Sequence, residues 1–288
     1  MEQQGRFSTA RNYRRTRESI DTFLHGREIQ VSDLSPAFVN DYNDFLYARK
    51  DTRNSVSFYN RVLRALYNKG IQKGHVSALS DNPFANVYTG QDRTKKLALD
   101  KEIIRKIISL DLHDNPEMDL SKDLFLFSFY TRGMCFVDMS FLSLRNICNS
   151  SIFYARSKTR QRMEIQLEPC MEKIMCKWQG KASMDYIFPI VHSALPQKAF
   201  VQYRYRLDRH NLMLKKIGDM VDAPFPLNSK TARHSWATLA RDADIPVSVI
   251  SQGMGHSSER TTRIYLADLD KSILNKANQK VIGSVLGY

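Results

Sequence analysis

The chain has 288 residues, 42% of them hydrophobic and 25% charged, a composition that supports a packed core and excludes wholesale disorder. At roughly 100 to 200 residues per domain, this length suits about two domains. Lys and Arg outnumber Asp and Glu by 43 to 30, a formal charge of +13; that excess makes nucleic acid the leading candidate partner, although a merely soluble basic protein has the same arithmetic and the placement of the charges has to decide.

The opening "MEQQGRFSTARNYRRT" has no apolar run of the kind a signal peptide carries, so a cytoplasmic protein is expected. From Thr9 to about Gly74, "TARNYRRTRESIDTFL" and "SVSFYNRVLRALYNKGI" space Tyr, Ile, Phe, Val and Leu at three and four residues, which predicts a small basic helical bundle. Ser35-Pro36 opens a helix through "AFVNDYNDFLYARK", and Asn82-Pro83 marks a stop. The stretch "YTGQDRTKK" is polar and without an apolar face, as linkers are, which places a domain boundary near Asp92 and divides the chain into 1–92 and 93–288.

Beyond it, Asp100 is placed to cap a helix bearing Ile103, Ile104, Ile107 and Ile108. The apolar stretch "LFLFSFYTRGMCFVDMSFLSL" carries Arg132, Asp138 and three serines, which suits a buried helical segment better than a membrane span. In "SSIFYARSKTRQRMEIQL" two β-prone runs flank a polar basic turn from Ser157 to Arg162, predicting a hairpin. The rest of this domain reads as helical. Cys135, Cys148, Cys170 and Cys176 form no C-x-x-C pair, so they are expected as reduced thiols, mostly in packing roles, with no metal site and no disulfide framework.

Two places ask for a chemical explanation. Between Leu124 and Leu144 the only side chains charged at neutral pH are Arg132 and Asp138. A guanidinium drawn partly out of water there needs an anion, and two are open to it: the Asp138 carboxylate or a bound phosphate. The second place is "LNSKTARHSWATLARDADIPVSVISQGMGHSSERTTRIYLADLD". Asn228 or Ser229 can cap a helix that carries Lys230 and Arg233 near its start, a plausible phosphate site. Pro246 can open the next short helix and Gly253 or Gly255 end it, which leaves His256 in a turn; Ser257 or Ser258 then caps the segment with Tyr265. Taken singly, a turn histidine or a helical tyrosine has a structural explanation, and His234 is assigned to that class. The ordered set is what stands out: Arg233-His234-Ser235, then Gly255-His256-Ser257, then Tyr265 nine residues past that histidine.

This set strongly resembles the signature of the tyrosine recombinases, the phage integrase and Xer-type site-specific recombinases, and "FYTRGMCFVDM" and "ARHSWATLA" resemble integrases and invertases of Bacteroides-type bacteria. The resemblance implies a mainly α protein: an N-terminal four-helix, SAM-like bundle that grips the DNA core site, and a mainly helical catalytic domain with a small antiparallel sheet, the DNA breaking-rejoining enzyme fold. It makes Tyr265 the nucleophile that forms a 3′-phosphotyrosyl link, Arg233 and the family's first arginine the clamps on the scissile phosphate, and His256 a phosphate ligand or proton-transfer group. Lys158 becomes the acid for the leaving 5′-oxygen, with no metal or cofactor. Arg156, Arg160 and Arg162, with Arg11, Arg14, Arg15 and Arg61 of the bundle, become candidate contacts to the DNA backbone. The implied partners are double-stranded recombination sites, a tetramer of the chain when synapsed on them, and an accessory DNA-bending protein. No membrane is involved.

Two positions depart from the family pattern. Aligning Asp138 with the family's acidic position puts Cys135 in the slot of the first arginine, and Arg132 lies three residues earlier; on a helix those positions share a face, so Arg132 is the candidate replacement. Lys230 stands where the family often has histidine. The chemistry is sound in itself, because a phenol with a pKa of about 10 needs converging cations to stabilise both phenolate and transition state. Two other functions are open, a catalytically silent DNA-binding regulator and a topoisomerase of type IB; Lys158, Arg233, His256 and Tyr265 together argue for an enzyme over the regulator, and the Xer-like length and N-terminal bundle favour recombination over the topoisomerase. The tail "LADLDKSILNKANQKVIGSVLGY" is amphipathic in Ile273, Leu274, Ala277, Val281 and Ile282, and packs either on a neighbouring protomer or on its own domain. With few residues before Thr9, a simple Xer-type or invertase-type enzyme is expected over one with an arm-binding domain.

Overall fold

The computed structural model describes residues 5–77, 81–92, 97–256, 258–259, 262–263, 279 and 282. The chain divides into two compact units, Met1–Lys95 and Lys96–Tyr288. Tyr265 and Ser257 lie outside the described residues, as does most of the tail.

In the first unit the described residues hold three α-helices where the resemblance implies four: α1 (Phe7–Leu24), α2 (Pro36–Ala48) and α3 (Arg53–Gln72). Ser35 caps α2 through the Phe38 N–H (3.2 Å), and Thr52 caps α3 through the Ser55 N–H (3.3 Å). Ile20, Leu24, Val39, Tyr42, Leu46, Val56, Leu63 and Tyr67 meet in one core, and the turns after Pro83 add Phe84 and Val87. The buried Tyr42 hydroxyl donates to Ser19 Oγ at 2.8 Å, so its polar end is satisfied inside the core. Arg11, Arg14, Arg15 and Arg61 are all exposed.

The polar stretch expected as a linker is anchored at its start. Asn54 exchanges two hydrogen bonds with the Asp92 backbone (2.8 and 3.2 Å), Arg64 donates to Thr89 Oγ1 (3.1 Å), and Ser57 donates to the Gly90 carbonyl. Polar side chains of α3 thus hold this stretch, mostly through its backbone.

The second unit begins with α4 (Lys101–Ser109), capped by Asp100 through the Ile103 N–H at 2.8 Å. Ile103, Ile104 and Ile107 are buried, whereas Ile108, expected on the same face, is 46% exposed. The centre of the unit is α5 (Pro116–Tyr130), buried along nearly all its length. After it come the short α6 (Phe136–Ser140), strands β1 (Ile147–Cys148), β2 (Ser151–Ala155) and β3 (Arg162–Gln166), then α7 (Pro169–Gln179), α8 (Pro196–Met220), α9 (Thr231–Asp242) and α10 (Val247–Gly253). The sheet is antiparallel in the order β1-β2-β3, with buried Ile152 facing buried Ile165 across the hairpin. On α5, Asp119 and Asp123 each take a 2.7 Å hydrogen bond from Lys177 of α7, and Asp123 also takes one from Trp178 Nε1 at 2.8 Å; buried carboxylates are tolerated here because they are paired. Three of the cysteines read as packing residues, Cys148, Cys170 and Cys176, are instead exposed, and Cys135 is half-buried. Among the described residues no helix is long and apolar enough to cross a membrane.

Candidate active site

The site is assembled on the start of α9. Thr231 Oγ1 accepts the Asn228 N–H (3.1 Å) and Asn228 Oδ1 accepts the Lys230 N–H (2.9 Å), fastening the turn before the helix begins. Asn228 therefore braces the entry turn, and Lys230 is itself the N-cap with an exposed ammonium. One turn in, Arg233 is only 7% exposed. Its Nη1 donates to the Gly133 carbonyl (2.7 Å) and its Nη2 to the Met254 carbonyl (2.6 Å), and Nη2 also stands 2.9 Å from His256 Nε2. Ser235 holds the frame: its hydroxyl accepts the Leu99 N–H (2.9 Å) and donates to the Thr231 carbonyl (2.8 Å). His234 is half-buried on the same helix.

His256 arrives from α10, which runs from the Pro246 N-cap to Gly253. Gly255 then takes φ +62°, and the His256 N–H returns to the Ser251 carbonyl at 3.0 Å, the left-handed helix end that glycine permits. A guanidinium can only donate, so Nε2, facing Arg233, is the ring nitrogen with the free lone pair. Nδ1 therefore carries the proton and donates to the buried Thr262 Oγ1 at 2.7 Å. Burial, then the charges of Arg233, Arg156 and Lys158, push the imidazole pKa down to about 4. The ring is thus neutral at physiological pH and presents an acceptor to Arg233.

The first arginine slot departs from expectation. Helix α5 ends at Tyr130, Arg132 takes φ 57°, and the Gly133 N–H bonds back to the Ser128 carbonyl at 2.7 Å. This is a helix stop with an arginine in the left-handed position usually held by glycine. The backbone between Arg132 and Cys135 is therefore not helical, and the shared helical face expected for the two does not exist. Arg132 lines a groove of about 420 Å³ with Trp236, Met163 and Gly253. The Asp138 carboxylate accepts the Ser157 N–H at 2.9 Å, which ties α6 to the hairpin turn.

What stands beside Cys135 is Arg156, at the end of the hairpin strand β2. Expected as a surface contact to DNA backbone, it is 5% exposed. It donates through Nη1 to the Gly255 carbonyl, and its Nη2 lies 3.8 Å from Cys135 Sγ. Lys158 and Arg160 are exposed in the turn that follows, and the Arg160 N–H closes that turn on the Arg156 carbonyl at 2.8 Å. Sequence reasoning thus missed the burial of Arg156 and the bond from His256 to Thr262. Only the Gly-His turn hinted at the first, since a turn glycine admits a close neighbour. Among the described residues no cluster of three or more His, Cys, Asp or Glu is placed to hold a metal ion.

Residues 1–88 match the phage integrase SAM-like domain and residues 99–272 the phage integrase family. The chain belongs to the phage integrase family. A curated relative is a tyrosine recombinase of Pseudothermotoga lettingae, 22% identical over 270 residues, covering 89% of this chain and 86% of the relative. Among solved structures, XerH recombinase bound to palindromic difH in a post-cleavage complex aligns with a TM-score of 0.67 at 15% identity, over 93% of this chain and 78% of that one. A lambda integrase tetramer bound to a Holliday junction aligns with a TM-score of 0.59 at 13% identity, over 87% and 70%. At such identities these two bear on the fold alone. As a phage integrase family member, the protein is a tyrosine-type site-specific recombinase.

Proposed function

We propose that this recombinase cuts each DNA strand with Tyr265 and reseals it without an external energy source. The observation that carries the reading is the convergence of the Arg233 guanidinium on the Nε2 lone pair of a neutral His256 at 2.9 Å, with the Arg156 and Lys158 charges close enough to depress that histidine. In the cutting step the Tyr265 oxygen bonds to the scissile phosphorus and the bond from phosphorus to the 5′-oxygen breaks. The phenol proton leaves to solvent, since Arg233 engages the Nε2 lone pair of His256, which helps hold the clamp in place, and the leaving 5′-oxygen takes a proton from Lys158. Arg233 bears the developing charge on the non-bridging oxygens, and Lys230, exposed at the mouth of α9, contacts an adjoining phosphate. A 5′-hydroxyl of another strand reverses the step, because the tyrosyl phosphodiester keeps the energy of the broken bond.

In this reading residues 1–92 grip the core site through Arg11, Arg14, Arg15 and Arg61, and residues 93–288 perform the chemistry. Four copies act on two sites; support for this comes from the lambda integrase tetramer bound to a Holliday junction. The enzyme works in the cytoplasm, on the nucleoid, with an accessory bending protein where the site requires one. The test is a nicked suicide substrate taken from DNA flanking the gene. Wild-type protein should form an SDS-resistant adduct and Tyr265→Phe should not; tight DNA binding with no adduct on any flanking site would leave a silent regulator.

A further inference from the structure

Cys135 occupies the position at which the family signature calls for an arginine, and the chain needs a second cation on the scissile phosphate from somewhere else. Arg132 does not supply it, because the left-handed turn at the end of α5 sends its side chain into the groove beside Trp236 and Gly253. We infer that Arg156, at the end of β2, is the second phosphate clamp of this enzyme, reaching from the hairpin into the space that the short Cys135 side chain leaves open.

Three observations carry this. Arg156 is buried to 5% exposure, yet its hydrogen-bond partners among the described residues, the Gly255 carbonyl and the Cys135 sulfur, include no carboxylate. A guanidinium held so far from water with no ion-paired carboxylate among the described residues is a site that an anion completes. Second, Arg156 and Arg233 are seated on consecutive carbonyls of one turn, Gly255 and Met254. Two like charges brought to one turn repel unless an anion lies between them, and a phosphate with two non-bridging oxygens is of the right size and charge to accept from both. Third, the approach is built into the backbone. A Cβ on Gly255 would stand 2.7 Å from Arg156 Cδ, so glycine there makes room for the arginine stem. Nη2 of Arg156 is 3.8 Å from Cys135 Sγ, so an arginine at position 135 and Arg156 would compete for the same volume. One guanidinium is therefore delivered from the hairpin instead of the start of α6, with the short residue and the long one exchanged.

The inference rests on the recombinase reading and is tested with the same suicide substrate, so that the two can fail separately. Adduct formation by wild type and its loss in Tyr265→Phe establish the chemistry; their failure would overturn both. Given that chemistry, Arg156→Ala should lower the cleavage rate about a hundredfold or more, as loss of a transition-state donor does, with DNA binding in gel shifts and the thermal unfolding midpoint close to wild type. Arg132→Ala should cleave within a few fold of wild type. Cys135→Arg should be impaired through crowding and repulsion, and Cys135→Arg combined with Arg156→Ala should recover at least tenfold over Arg156→Ala alone. A separate readout distinguishes a phosphate ligand from a mere support of the Gly255 turn: replacing the scissile phosphate by an uncharged methylphosphonate should narrow the gap between Arg156→Ala and wild type, because the charge to be neutralised is gone. Near-normal cleavage by Arg156→Ala, or a defect that persists unchanged on methylphosphonate and is not relieved by Cys135→Arg, overturns the assignment.

Discussion

Gly133 shows how narrowly the surroundings of Arg233 are fitted. Its φ of +79° already disfavours a side chain, and a Cβ there would stand 2.5 Å from Arg233 Cγ and 2.9 Å from Arg233 Cα. The close approach lets the Gly133 carbonyl accept from Arg233 Nη1 at 2.7 Å. Gly133→Ala should therefore push α9 or its arginine off position. The expected outcome is a loss of about 1 to 3 kcal/mol in stability and a cleavage rate reduced at least tenfold, read by denaturant unfolding alongside adduct formation. A cleavage rate equal to wild type would show that Arg233 does not depend on this contact. At this scale the sequence was legible in part. Arg233, His256 and Ser235 stood out by order and spacing, whereas the site of Arg156 depends on a bond across 99 residues to Gly255, and no local pattern carries such a distance. The helical reading of the backbone at Arg132 failed because a left-handed arginine looks, in one dimension, like one more residue of a helix.

Among the elements, α8 carries the clearest response to acid. Its His210 is 3% exposed, its ring lies 4.8 Å from that of Phe136, and its Nδ1 has no hydrogen-bond partner among the described residues. Burial lowers its pKa from 6.5 to about 3. Because the folded pKa is depressed, the unfolded chain binds more protons between those two values; the stabilising effect of the neutral ring is complete above pH 6.5 and is lost as pH falls toward 3. Two pH units inside that window correspond to about 2 to 3 kcal/mol. Unfolding midpoints at pH 7.5 and 4.5 should thus differ strongly for wild type and distinctly less for His210→Leu; equal acid sensitivity in the two would remove this histidine as the cause. Elements were easier to read than the site. The β2-β3 hairpin follows from two β-prone runs about a basic turn, and α4 from Asp100 and its isoleucines. The start of the expected linker was harder, because a polar stretch pinned by Asn54 and Arg64 has the same composition as a free one.

Across the whole molecule the charges fall into two populations. The formal excess of +13 includes exposed arginines such as Arg11 and Arg61, while Arg233 and Arg156 are buried. Exposed cations that meet DNA release counterions, each steepening the salt dependence of binding by about one unit of slope. Arg11→Ala and Arg61→Ala should accordingly weaken binding and flatten the plot of log affinity against log salt. Arg233→Ala should leave that slope nearly unchanged while adduct formation falls about a hundredfold or more; a change in slope as large as that of Arg11→Ala would assign it an ordinary binding role. Composition alone foretold the first population and was silent about the second, since burial is decided by tertiary packing.

The seating of Arg233 and Arg156 on the carbonyls of Met254 and Gly255 orients both guanidiniums before any DNA arrives. If they serve the phosphate as proposed, little side-chain freedom is left to lose on binding, and that preorganisation lowers the barrier to cutting rather than merely strengthening attachment.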